Sequence, residues 1–150
     1  MTKFIIAIQA RLSSTRLPYK ILLPTSDSIK SKNSNFEPLI IKFTKDISGG
    51  NNIFLLCPKN DKIIFELLLN SFSNVIVYGG DEEDLLKRYA LFAESINQPE
   101  TYIIRLCSDS PYINFNYIEE LKIYCKYLIE SKSCKFLTTR EISKNTWKGF

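Results

Sequence analysis

Two stretches of this sequence concentrate side chains able to handle an anionic ligand. The first, Gln9-Ala10-Arg11-Leu12-Ser13-Ser14-Thr15-Arg16-Leu17-Pro18-Tyr19-Lys20, carries three cations and three small hydroxyl residues. A polyphosphate calls for both kinds: small residues let backbone N–H groups come close to its oxygens, and cations offset its charge. The same composition also suits a plain solvated basic loop. It is not a Walker loop, because the Gly-x-x-x-x-Gly-Lys-Ser/Thr spacing is absent. The second stretch, Arg105-Leu106-Cys107-Ser108-Asp109-Ser110-Pro111, sets a carboxylate just past an apolar run and before a proline. Magnesium takes one or two protein carboxylates and completes its shell with phosphate oxygens and water, a role open to Asp109. The plainer alternative is a turn-forming Asp that only caps backbone groups.

Three further charges stand out. Arg105 occupies a strand-like position, where an unpaired charge is costly, so an anionic partner is expected for it. Asp84 and Arg88 fall four apart in a helical pattern. They fit either a place near the site or a surface ion pair worth a few tenths of a kcal/mol.

Composition narrows the chemistry. There is no histidine in the 150 residues, which removes Ser-His-Asp and Cys-His catalysis and imidazole metal sites. What remains is chemistry by carboxylates, lysines, arginines, hydroxyls and backbone groups. The four cysteines, Cys57, Cys107, Cys125 and Cys134, form no Cys-x-x-Cys pair. They read as buried thiols of a cytoplasmic protein. A net charge of +4 favours anionic ligands only slightly, so neither a nucleic acid nor a membrane is expected as partner. Residues 1–9 lack the long apolar core and cleavage site of a signal peptide and read as a first strand.

The elements that must position these groups alternate along the chain. Strands are expected at 4–9, 53–57, 75–78, 102–106 and 135–138. Helices are expected at 38–47, ended by Gly49-Gly50, and at 59–72, with Ile63, Ile64, Leu67 and Leu68 at helical spacing. A third helix follows a Gly79-Gly80 turn, with Asp81 to Asp84 in its acidic first turn and an inner stripe of Leu85, Tyr89, Phe92, Ala93 and Ile96. A fourth is capped by Asn114 or Asn116 and turns Ile118, Leu121, Cys125 and Leu128 inward. Residues 26–35, rich in Ser, Lys and Asn, read as an exposed excursion. Short apolar strands between helices indicate a mostly parallel sheet covered on both faces. The fold class is therefore α/β, a three-layer Rossmann-like domain, with 1–150 as one domain. In such sheets ligands lie beyond the carboxyl ends of the strands, where strand order reverses.

Taken together, the two loops and this pattern resemble the cytidylyltransferases. Residues 9–20 are similar to that family's Gln-Ala-Arg-x-Gly-Ser-Thr-Arg-Leu-Pro-Gly-Lys signature. Gly80-Asp81-Glu82-Glu83-Asp84-Leu85-Leu86-Lys87-Arg88-Tyr89 resembles the Gly-x-x-Asp-Asp-Val-Leu-x-Arg-Tyr segment of the SpsF-type branch, which serves spore coat polysaccharide biosynthesis. Residues 105–111 resemble its Arg-x-x-Gly-Asp-x-Pro segment. The three matches come in family order and span most of the chain.

The resemblance implies a GT-A-like nucleotidyltransferase fold and transfer of CMP from CTP to a sugar hydroxyl with release of pyrophosphate. It implies that Arg11 and Lys20 neutralise the triphosphate, with Lys20 at the α-phosphate. Ala10, Ser13 and Ser14 line the nucleotide, Asp109 holds Mg²⁺, and Asp84, Arg88 and Arg105 lie at the site. Arg16 faces phosphate or pairs with a carboxylate. A homodimer is implied for a complete member. Three positions depart from the pattern: Ser13 and Ser108 stand where the family has Gly, and Tyr19 replaces the Gly before the lysine, reshaping the loop or adding a stacking surface. Trp147-Lys148-Gly149-Phe150 is similar to the start of a Lys-Gly-x-Asp-Val-Glu segment that supplies a second acidic ligand, so the family's C-terminal portion is expected to be missing. A catalytically inactive nucleotide-binding module is the alternative. A nucleotide-sugar glycosyltransferase is another, although Ser108-Asp109-Ser110 lacks the Asp-x-Asp metal motif of that class.

Overall fold

The computed structural model describes residues 3–25, 36–98, 100–110 and 112–131. Its apolar runs form four strands: β1 (Lys3–Gln9), β2 (Ile53–Pro58), β3 (Val75–Gly80) and β4 (Thr101–Cys107). They pair in parallel in the order β3-β2-β1-β4. Parallel strands covered on both faces need apolar residues on both, which is why β1 and β2 read as continuous Ile, Leu and Phe.

The pleat sends alternate side chains to opposite faces. On one face, Leu55 and Cys57 meet Ile40 of α1 (Leu39–Ser48), Phe65 of α2 (Lys62–Leu68) and Leu69 beyond it. On the other, α3 (Leu85–Ile96) lays Phe92 against Ile5, Ala7 and Leu56. The Phe92 ring lies 5.0 Å from that of Phe54 and 5.3 Å from that of Tyr78. Helix, sheet and helix thus make the three layers that the alternating pattern predicts.

Packing divides the chain into two compact units, Met1–Phe115 and Asn116–Phe150, where composition predicts one domain. The described part of the second lies in α4 (Phe115–Glu130), whose buried residue is Ile118. Leu121, Cys125 and Leu128 are half-buried on it, and Asn116 sits inside the helix, so it is no cap.

Five local expectations give way to tertiary context. Ile63 and Leu67 of α2 are 69% and 68% exposed, while Phe65 and Leu69, four apart, face the sheet. Both rows have helical spacing, and only the direction of the chain entering the helix decides between them. Gly79 and Gly80 do not turn but extend β3, opposite Cys57 and Pro58. Helix α3 begins at Leu85 with no acid in its first turn, because Asp84 is its N-cap. Its stripe keeps Tyr89, Phe92 and Ile96, while Ala93 is exposed and Arg88 is buried. Cys57 is buried, whereas Cys107 is exposed at the end of β4. The expected strand at 135–138, the excursion at 26–35, the tail at 147–150 and Cys134 lie outside the described residues. No helix among the described residues is long and apolar enough to cross a membrane.

Candidate functional site

From β1 the chain winds to β2 and β3, then returns to set β4 on the other flank of β1. Strand order therefore reverses between β1 and β4, the place where open α/β sheets leave a crevice at their carboxyl edge. Gln9 and Cys107 are level across this pair, and the Ser108 N–H donates to the Gln9 carbonyl at 3.1 Å. Both cation-bearing and carboxylate-bearing loops consequently leave the sheet from one line.

The first loop is tied down at its neck. Ala10 and Leu12 are buried. The Ala10 N–H donates to the Leu56 carbonyl at 3.0 Å, and the Tyr19 N–H to the Leu12 carbonyl at 2.9 Å. The Leu12 N–H donates to Asp61 Oδ2, also at 2.9 Å. Residues 13–18 project beyond this neck, with Ser13 and Arg16 exposed and Ser14 half-buried. A single 3₁₀ turn, Lys20–Leu22, then buries Ile21 and reverses the chain.

From that turn the Lys20 Nζ donates to Asp109 Oδ2 and forms an ion pair with it. The hydrogen bond from Lys20 holds the Asp109 carboxyl below the usual aspartate range; partial burial opposes this, while the charges of Lys20 and Arg16 add to it. Asp109 is therefore ionised at neutral pH. Arg11 is exposed and makes no hydrogen bond or ion pair among the described residues. The geometry brings together Lys20, Asp109 and, through its charge, Arg16.

Arg105 belongs to a neighbouring cluster. One guanidinium nitrogen donates to Gln9 Oε1 at 2.7 Å, and the group lies 5.6 Å from the centre of the Tyr89 ring. The Tyr89 hydroxyl donates to the Ala7 carbonyl at 3.3 Å, and burial pushes its pKa up to about 12. Neither partner of Arg105 is an anion, contrary to expectation. The side chain is exposed at the flank of the sheet, so water solvates its charge and desolvation demands no counter-ion.

Asp84 and Arg88 form no ion pair with each other. Asp84 Oδ1 accepts from the Lys87 N–H at 3.0 Å as the helix cap. Arg88 is 3% exposed and donates to the Asp81 carbonyl at 3.0 and 2.6 Å and to the Glu82 carbonyl at 3.2 Å. A Cβ on Gly80 would come within 2.6 Å of Arg88 Cγ, so the glycine makes room for that side chain. Asp81 accepts from the N–H groups of Glu83 and Asp84 at 3.1 and 2.9 Å. Its hydrogen bond from Lys87, first, and these backbone bonds lower its pKa to about 2. Asp81, Asp84 and Arg88 together build the turn between β3 and α3.

The donor set suits a cation shared with phosphate. Asp109 offers an ionised, 42% exposed carboxylate at the strand end, and magnesium bound to a nucleotide needs no more than one or two such ligands. Among the described residues no three acidic or sulfur ligands cluster, so the phosphates and water would complete the shell.

No family model matches this sequence, and no curated protein does. Solved structures do match. A cytidylyltransferase from Leptospira borgpetersenii serovar Hardjo-bovis (strain JB197) aligns at TM-score 0.66 and 29% identity over 85% of this chain and 50% of its own. The fold is that of a cytidylyltransferase. A CMP:2-keto-3-deoxy-manno-octonic acid synthetase complexed with CTP shares it at TM-score 0.59 and 22% identity, over 83% of this chain and 48% of its own. So does a 4-diphosphocytidyl-2C-methyl-D-erythritol synthase from Anaerococcus prevotii DSM 20548, at TM-score 0.51 and 15% identity, over 82% and 51%. The chain spans about half the length of these structures.

Within the cytidylyltransferase fold, the three departures from the family pattern differ in consequence. Ser13 and Ser108 do not adopt positive φ, so a side chain strains neither. Tyr19 sits at φ 57° and ψ 19°, in the left-handed region where glycine is at ease. Sequence reasoning passed over Asp61. Its signal was present, since it is a carboxylate just past the end of a central strand, β2.

Proposed function

We propose that this chain forms the nucleotide-binding part of an Mg²⁺-dependent cytidylyltransferase, transferring CMP from CTP to a sugar hydroxyl. The SpsF-type motifs in 9–20, 80–89 and 105–111 support surface-polysaccharide precursors as the pathway. The observation that carries the reading is the Lys20–Asp109 pair, which joins the two loops at the strand-order reversal.

A triphosphate entering this crevice offers Lys20 phosphate oxygens in place of Asp109. Arg11, which has no partner among the described residues, meets phosphate charge without giving up an existing bond. Ala10 and the backbone of Ser13 and Ser14 line the nucleotide. A sugar hydroxyl oxygen bonds to the α-phosphorus, the bond to the bridging oxygen breaks, pyrophosphate leaves, and the hydroxyl proton passes to solvent. Lys20 offsets the charge that develops at the α-phosphate. Magnesium at Asp109 would supply further neutralisation of the phosphates. Such a transfer relies on positioning and electrostatics, so the lack of histidine is no obstacle.

Calorimetric titration with CTP and Mg²⁺ tests the site. Lys20→Ala and Asp109→Ala should each weaken binding by about tenfold or more, and unchanged affinity in both variants overturns the assignment. Pyrophosphate release from CTP with a sugar panel tests the chemistry. Binding without release identifies an inactive nucleotide-binding module.

A further inference from the structure

We infer that Tyr19 is a stacking platform for the base of the bound nucleotide; this rests on the nucleotide site proposed above. Three observations about one residue carry it. Tyr19 holds a backbone conformation, φ 57°, that a side chain disfavours. Tyr19 is 58% exposed, and among the described residues its ring faces no other ring and its hydroxyl makes no hydrogen bond. Its backbone position is nonetheless pinned at both ends, by its N–H to the Leu12 carbonyl and by its carbonyl to the Leu22 N–H at 2.8 Å. The chain thus retains a strained, solvent-facing aromatic that contributes nothing visible to the core.

The location gives the ring a use. The Leu12–Tyr19 bond places Tyr19 across the loop neck from Leu12, while the next residue, Lys20, donates to Asp109. A nucleotide whose phosphates meet Lys20 has its nucleoside within reach of the neighbouring position. Every base has a π-face, so an exposed aromatic contributes affinity with little regard to which base it meets. On this account Tyr19 adds affinity for the nucleoside, and discrimination between cytosine and uracil resides elsewhere in the site.

The experiment separates ring, backbone and phosphate. Tyr19→Gly relieves the positive φ, so its melting temperature should equal or exceed that of the wild type. Its affinity for CTP and for UTP should fall by the same factor, about tenfold, while its affinity for inorganic tripolyphosphate stays unchanged. Tyr19→Phe should keep wild-type CTP affinity. In parallel, the Tyr19 ring resonances, assigned by their absence in Tyr19→Phe, should move on addition of CTP and stay still with tripolyphosphate. Wild-type CTP affinity in Tyr19→Gly overturns the inference and leaves the site intact. An equal loss of CTP and tripolyphosphate binding also overturns it, by assigning Tyr19 to loop shape. No CTP binding by the wild type removes both the inference and the site.

Discussion

Lys20 and Asp109 keep 36% and 42% of their side-chain surface in water, so their pairing is a matter of position more than of stability. Water and salt screen a pair of this kind, and its worth lies in holding two groups where a ligand can exchange them. The hydrogen bond from Lys20 lowers the Asp109 pKa. A carboxyl whose pKa falls on folding stabilises the fold above its unfolded value and loses that contribution as pH drops through the folded value. Removing the chief cause of the shift closes that window from below. In Lys20→Ala the Asp109 carboxyl, followed by ¹³C NMR through an acid titration, should therefore titrate at higher pH than in the wild type; an unmoved midpoint would show that the two groups do not meet in solution. The types of both residues were readable in advance, and so was their place at strand ends. Arg105 was not: its strand position suggested burial, and only the flanking place of β4 showed that water reaches it.

Among the elements, the turn between β3 and α3 shows how one segment can carry a family-like motif for structural reasons. Four acidic residues in a row looked like a helix start, yet the helix waits for Leu85. Asp81 folds back on two N–H groups, Asp84 caps, and Arg88 ties the preceding carbonyls together from inside. A buried guanidinium that bonds two carbonyls cannot be removed cheaply, since the carbonyls lose their donor. Arg88→Ala should lower unfolding free energy in urea by about 2–3 kcal/mol. Arg88→Lys should recover only part of that, because one ammonium lacks the planar fork. Full recovery with Lys would mean that charge, not geometry, holds the turn. Periodicity marked this helix correctly but left Arg88 open between a place near the site and a surface ion pair, because a four-residue spacing to Asp84 fits an ion pair as well as it fits a side chain wrapping over Gly80.

At the scale of the whole molecule, the sheet divides the core of the first unit into two halves that share strands but not side chains. Phe65 closes one and Phe92 the other. Phe65→Leu and Phe92→Leu should each cost about 1–2 kcal/mol, and the double variant should lie within about 0.5 kcal/mol of their sum. Urea unfolding of the three proteins measures this, and a coupling well beyond that margin would contradict two separate halves. The alternation of apolar strands and amphipathic helices was legible from the chain alone, as were the types and spacing of the two loops, because those depend on local periodicity and local composition. Which row of α2 faces inward, where Gly79 and Gly80 go, and that β4 joins β1 and not β3 were settled only in three dimensions. Each of these depends on how a whole element docks against others distant in sequence. The meeting of Lys20 and Asp109 belongs to this second group: eighty-nine positions separate them, and only the reversal of strand order beside β1 brings them together.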